Sequence, residues 1–163
     1  MIHREPTGPD EESVWDYPRP PALESVAQRI QVTFAGITII DSLGAWRVLE
    51  TSHPPTYYVP QSDIRMEYFK EAGGGSFCEW KGAARYWDLE VKGRGLNRVA
   101  WSYPTPTTRF AALRDHLAIY AGPMDECRVG GELVTPQPGG FYGGWITPSI
   151  KGPFKGAPGT MGW

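Results

Sequence analysis

Glu50, His53, Cys78 and Lys81 carry side chains able to move protons, attack an electrophile or fix a charged ligand, and each stands among aromatic residues, prolines or glycines. A thiolate beside an imidazole is the arrangement that makes cysteine nucleophilic, so His53 with Cys78 is one candidate pair. Cysteine is also commonly buried for packing alone. Glu50 and Lys81 offer a carboxylate and an ammonium for a polar or zwitterionic ligand, or for acid–base work if burial moves a pKa toward neutrality. Their alternative role is an ion pair at a sheet end. Glu50, His53 and Asp63 lack the i, i+4 spacing of helical metal ligands, and Cys78 and Cys127 form no C-x-x-C motif, so neither a metal nor a cofactor is expected.

The aromatic residues point to recognition. Trp80, Trp101, Tyr103 and Tyr58 lie next to turns and prolines, and flat rings with polar edges suit a pocket that stacks a planar or cyclic ligand. With Lys81 and Glu50 they form the expected ligand-binding set, whereas Trp46 and Trp87 are expected in the core. Single-stranded nucleic acid would stack on similar rings but needs a basic groove as well. A net charge of −2 supplies no attraction to nucleic acid or to an anionic membrane, so neither is expected as a partner. Gly93-Arg94-Gly95 begins like a dinucleotide fingerprint, but Arg98 occupies the third glycine position and no helix pattern follows. Both glycines therefore read as turn residues.

The elements that must position these groups are mostly strands. Residues 86–91 alternate between two glycine boundaries and predict a strand; residues 92–97 (KGRGLN) predict its loop, and Arg98 to Tyr103 the returning strand. The open end of this hairpin would bring Trp80 and Lys81 near Trp101 and Tyr103. Arg29 to Phe34 and Ile37 to Asp41 read as a tight hairpin about Ala35-Gly36, and Ala45 to Glu50 as a third strand with Trp46, Val48 and Glu50 on one side. Prolines 54, 55 and 60 confine Tyr57 to Val59 to a sheet edge. Asp63 to Phe69 reads equally as a strand entry or a helical turn, and Glu71 to Ser76 as a flexible loop. Thr107 is placed to cap one short helix from Thr108 to about His116, with a strand at Leu117 to Tyr120 and a hairpin at Cys127 to Val134.

A chain of 163 residues can bury one core without disulfides or metal. With 20 glycines, 16 prolines and 13% aromatic residues, it predicts a mainly β domain, α+β at most. We expect a single compact antiparallel sheet or barrel-like domain with one short helix and irregular extended termini. Three regions follow: an extended arm at 1–28 anchored by Trp15 and Tyr17, a core at 29–135, and a Gly/Pro/aromatic tail at 136–163. The tail's rings are expected to pack on the domain or on a second subunit, which would make a homo-oligomer. The charged N-terminus is unlike a signal peptide, no apolar run reaches transmembrane length, and two free thiols suit a reducing compartment, so the expected address is the cytoplasm.

The pieces RVLETSHPPTYYVPQSDIRM, CEWKGAARYWDLEV, AWSYPTP and LAIYAGPMD, in this order, resemble the domain of unknown function family 427, small bacterial and fungal proteins. The resemblance runs from about Arg29 to Asp125, and GGFYGGWITPSIKGPFKG is similar to the extension of one branch. It implies a compact, mostly β domain and no established activity, although a label of nucleotidyltransferase is attached to the family. Three functions are consistent with the sequence: a pocket for a small polar or cyclic ligand, an enzyme using the same hollow, or an interaction module built on the aromatic tail.

Overall fold

The computed structural model describes residues 2–163. The N-terminal half supplies β1 (Glu12–Ser13), β2 (Ala22–Ser25), β3 (Ile30–Phe34), β4 (Ile37–Ser42), β5 (Trp46–Leu49) and β6 (Thr56–Pro60). Three long or central strands follow: β7 (Phe69–Cys78), β8 (Gly82–Val91) and β9 (Arg94–Ser102). The remainder holds β10 (His116–Ile119), β11 (Glu126–Val129), β12 (Glu132–Leu133), β13 (Thr135–Pro136), β14 (Trp145–Ile146) and β15 (Ile150–Lys151).

These strands build an open seven-stranded sheet, ordered β2-β5-β6-β10-β9-β8-β7, and a four-stranded sheet, β12-β11-β3-β4. The mainly β reading holds, with two large antiparallel sheets, two further two-stranded pairings (β1-β15, parallel, and β13-β14, antiparallel) and no closed barrel. Strand alternation explains how the sheets meet. Tyr57, Val59, Leu117, Ile119, Ala100 and Leu89 leave one face of the large sheet and pack on Ile30, Val32, Phe34, Ile40, Cys127 and Val129 of the small one. The intervening residues Val48, Tyr58, Ala84, Trp101 and Ala118 leave the opposite face and join Tyr103, Phe110 and Leu113 in a second cluster. The large sheet thus has two apolar faces, one closed by the other sheet and one that carries the candidate site.

Several local expectations need correction. Tyr57 to Val59 is not an edge strand, because β6 pairs with β5 on one side and β10 on the other. Pro54 and Pro55 precede the strand and Pro60 is its last residue, which leaves the N–H groups of residues 56–59 free for both ladders. Residues 71–76 belong to β7 and pair with β8 through two register shifts. Glycine is required at position 75, where a Cβ would stand 2.6 Å from the Tyr86 ring. The loop expected at 92–97 shrinks to Lys92-Gly93, both with positive φ, which is the two-residue turn that suits a twisted hairpin. Gly95 lies inside β9.

The helix expected at 108–116 is a kinked 3-10 segment, Thr108–Leu113, and His116 begins β10 instead. Thr107 occupies the cap position, but its hydroxyl donates to the carbonyl of Trp80 at 2.6 Å rather than capping. Gln61–Asp63 and Met66–Tyr68 are 3-10 turns, which settles the Asp63 to Phe69 segment as helical turns leading into a strand. The β3–β4 and β11–β12 hairpins stand as read, with Ala35-Gly36 and Gly130-Gly131 at positive φ. Among the described residues no helix is long and apolar enough to cross a membrane.

The two termini are tied to each other. β1 pairs in parallel with β15, and the Trp15 indole N–H donates to the carbonyl of Pro153 at 2.9 Å. Val14, Tyr17, Leu49 and Ile150 form a third small core there. The tail folds back on its own chain: Trp145 is 1% exposed and its indole N–H donates to the carbonyl of Ile119 at 3.1 Å. Ala22–Ser25, within the arm as drawn from the sequence, forms the edge of the large sheet.

Candidate functional site

A cavity of about 390 Å³ opens on the face of the large sheet away from the small one. Its floor follows from register. Trp46 stands opposite Tyr58, Val48 opposite Thr56, and Tyr86 opposite Trp101, so β5, β6, β8 and β9 each send alternate side chains to the same side. Val48, Thr56, Tyr58, Tyr86 and Trp101 line the hollow, with Ser76 and Cys78 from the end of β7. Tyr103 and Lys81 enter from segments just beyond β9 and just before β8.

The structure brings together seven of the eight residues singled out from the sequence. Glu50, His53, Tyr58, Cys78, Lys81, Trp101 and Tyr103 all line this cavity. Trp80 does not; it packs on the second cluster, with its carbonyl taken by Thr107. Trp46 and Trp87 pack half-buried against the cores, the Trp87 indole N–H donating to Ser102 Oγ at 3.0 Å. Asp63 lies elsewhere and accepts from Ser42 Oγ at 2.6 Å.

The rings are fixed before any ligand arrives. Tyr58 is fully buried, its ring 6.5 Å from Trp101 in an edge-on arrangement and 6.1 Å from Tyr103. The Trp101 indole N–H donates to the Tyr58 hydroxyl at 3.3 Å. Desolvation drives both the Tyr58 and the Tyr103 phenols far above the ordinary tyrosine range, so both remain neutral hydroxyls. The Lys81 ammonium sits 5.7 Å from the Tyr103 ring centroid, within cation–π range.

His53 is held by the tail. The Gln137 amide, 4% exposed, accepts the Gly144 N–H at 3.1 Å through Oε1. Its Nε2 donates to the carbonyl of Lys155 at 2.8 Å and lies 3.0 Å from His53 Nδ1. Because a peptide N–H can only donate and a carbonyl can only accept, the amide orientation is determined and a hydrogen points at Nδ1. Nδ1 is therefore an acceptor, which puts the single ring proton on Nε2, facing Glu50 at 3.7 Å. Burial pushes the His53 pKa below its ordinary value; Glu50 opposes that, and Lys155, Arg19 and Lys81 reinforce it. The imidazole is neutral near pH 7. No hydrogen bond joins it to Cys78 among the described residues, since both nitrogens already face other groups.

The opposite wall comes from the tail, and sequence reasoning did not find it. Gln137, Phe141, Tyr142, Gly143 and Lys155 all line the cavity. Tyr142 stands edge-on to His53 with centroids 4.8 Å apart, and the Lys155 ammonium lies 5.6 Å from the Tyr142 ring. Gly143 lies against the Trp101 indole so closely that a Cβ would collide with it, and a Cβ on Gly144 would meet Pro54 and Gln137 at 2.6 Å. The glycine pair within FYGGW was the available signal: a residue type needed where backbone must approach a ring.

A larger hollow of about 640 Å³ adjoins it and shares Tyr120, Gln137, Tyr142 and Gly143. Among the described residues Arg98 is its one charged lining residue, and its lining holds no carboxylate, ammonium or imidazole side chain.

Fold and site together define a mainly β domain with an aromatic cavity, edged by lysine, on one face of its larger sheet. The chain belongs to a family described as a domain of unknown function (DUF427), whose model matches residues 22–130, well over half of its length. No curated protein matches the sequence. The match ends before Gln137, so the tail wall of the cavity lies outside the matched region.

Proposed function

We propose that this protein binds a small polar, cyclic ligand in the cavity between Tyr58, Trp101, Tyr103 and the tail. The observation that carries the reading is convergence: Glu50, Lys81, His53 and three rigidly packed rings from four separate segments border one hollow of about 390 Å³. That volume and mixture are those of small-molecule sites, which pair apolar walls with a few placed polar groups. Pre-packed rings lose little entropy on binding, so stacking is retained as affinity. The experiment is thermal unfolding across a library of metabolites, nucleotides and metal salts, because a ligand selective for the folded state raises Tm by mass action. A Tm shift that disappears in Trp101→Phe and Lys81→Ala supports the reading, and a library without a single shift removes it.

Catalysis in the same cavity is a second reading, favoured by one specific feature. The one basic nitrogen of the neutral His53 ring is taken by Gln137 and its N–H faces Glu50, so the Glu50 carboxylate, bordering the same cavity as Lys81 and Cys78, is the group placed to act as a general base, with His53 positioning it. This reading requires turnover of a bound compound that is lost in Glu50→Gln with binding retained. Binding without product at saturating ligand rejects it.

A further inference from the structure

The cavity's charges narrow the ligand class. The chain carries 18 acidic and 16 basic residues, yet the cavity is bordered by two ammonium groups, Lys81 and Lys155, against one carboxylate, Glu50. Glu50 is engaged from outside by Arg19 at 3.4 Å. Among the described residues neither Lys81 nor Lys155 forms an ion pair; each ammonium stands instead beside a tyrosine ring, at 5.7 and 5.6 Å from the centroid. Both lysines are half-buried. A partly desolvated ammonium without a counter-ion is unfavourable, and an anion entering the cavity relieves it. The two cations also stand close enough to His53 to oppose its protonation, alongside the larger effect of burial. An aromatic cage for a cationic ligand would require the reverse, rings without neighbouring positive charge.

We propose that the ligand is an anion: a flat ring bearing a carboxylate or a phosphate, with the ring against Trp101 and Tyr103 and the acidic group taken by Lys81 and Lys155. The inference rests on the pocket reading above and adds the charge class and a second recognition residue, Lys155, supplied by the tail. A phosphate and a carboxylate present the same acceptor chemistry to two ammonium groups, so both enter the test.

The test is equilibrium binding to the full chain, followed by NMR shifts of the His53 ring, with four probes of one ring size: benzoate, phenyl phosphate, benzamide and benzylamine. The expected result is saturable binding of benzoate, phenyl phosphate or both, at least tenfold tighter than benzamide, with benzylamine weakest. Whichever acid binds more tightly identifies the anionic group preferred. Lys81→Gln and Lys155→Gln should each weaken the preferred acid about tenfold, while Lys92→Gln, in the exposed β8–β9 turn, should leave it unchanged. If benzamide or benzylamine binds as tightly as the acids, or if both cavity variants retain full affinity for them, the anion inference is overturned and the pocket reading stands. If none of the four probes produces a saturable shift, the anion inference falls, and the pocket reading stands or falls separately on the thermal-unfolding library.

Discussion

At His53 the neighbouring amide leaves room for a proton on one ring nitrogen only. Gln137 donates to Nδ1 because its other contacts, to Gly144 N–H and Lys155 C=O, permit no other orientation. Replacing Gln137 by Glu exchanges that donor for an acceptor. The neutral tautomer should then move to Nδ1–H and the His53 pKa should rise, both readable from imidazole ¹⁵N shifts over a pH titration. An unchanged ¹⁵N pattern would show that the amide does not set the tautomer. A second consequence concerns stability. The folded-state pKa lies below the ordinary 6.5, so the unfolded chain takes the proton more readily. This contribution to stability is complete above about pH 6.5 and is lost as pH falls through the folded-state value. His53→Gln should flatten the stability curve in that window, as measured by denaturant titration at several pH values. His53 was legible as a candidate from its type and setting. Its tautomer was not, because the residue that sets it lies 84 positions away.

Register in the large sheet decides which rings share a hollow. The alternation of Trp46, Val48 and Glu50 against Arg47 and Leu49 is visible in the sequence and survives intact: Val48 and Glu50 face the cavity, while Arg47 on the other side bonds Glu12 and Glu24. What alternation alone could not supply is the neighbour of each strand. β6 was expected at an edge because of its prolines, yet it is central, and that position brings Tyr58 beside Trp101 from β9 by way of β10. The tail element presents the complementary case. Gly143 touches the Trp101 ring, so Gly143→Ala should force the wall outward and cost about 1–3 kcal/mol, as overpacking of a tight contact usually does. Urea denaturation measures this loss, and a variant as stable as the parent would show that the wall yields freely.

Across the whole molecule the tail is a structural part of the domain. Trp145 fills the main core, 5.4 Å from the Tyr57 ring, and its one indole N–H donates to the carbonyl of Ile119. Trp145→Ala should therefore cost about 3–5 kcal/mol, the range for removing a buried large aromatic side chain. Thermal unfolding tests this directly, and a loss under 1 kcal/mol, far below that range, would mean that the tail is only loosely applied. The sequence by itself determined the mainly β class, the tight hairpins, the family and most of the cavity's chemical groups, because strand alternation, turn residues and ordered motifs are local signals. Only the tertiary structure decided that the strands divide between two large sheets and two small pairings, that the stretch at 71–76 is strand rather than loop, and that residues 137–155 close the site. The reason is physical: which strand lies beside which, and where an aperiodic glycine-rich segment comes to rest, depend on burial between residues distant in the chain. No local pattern encodes those contacts.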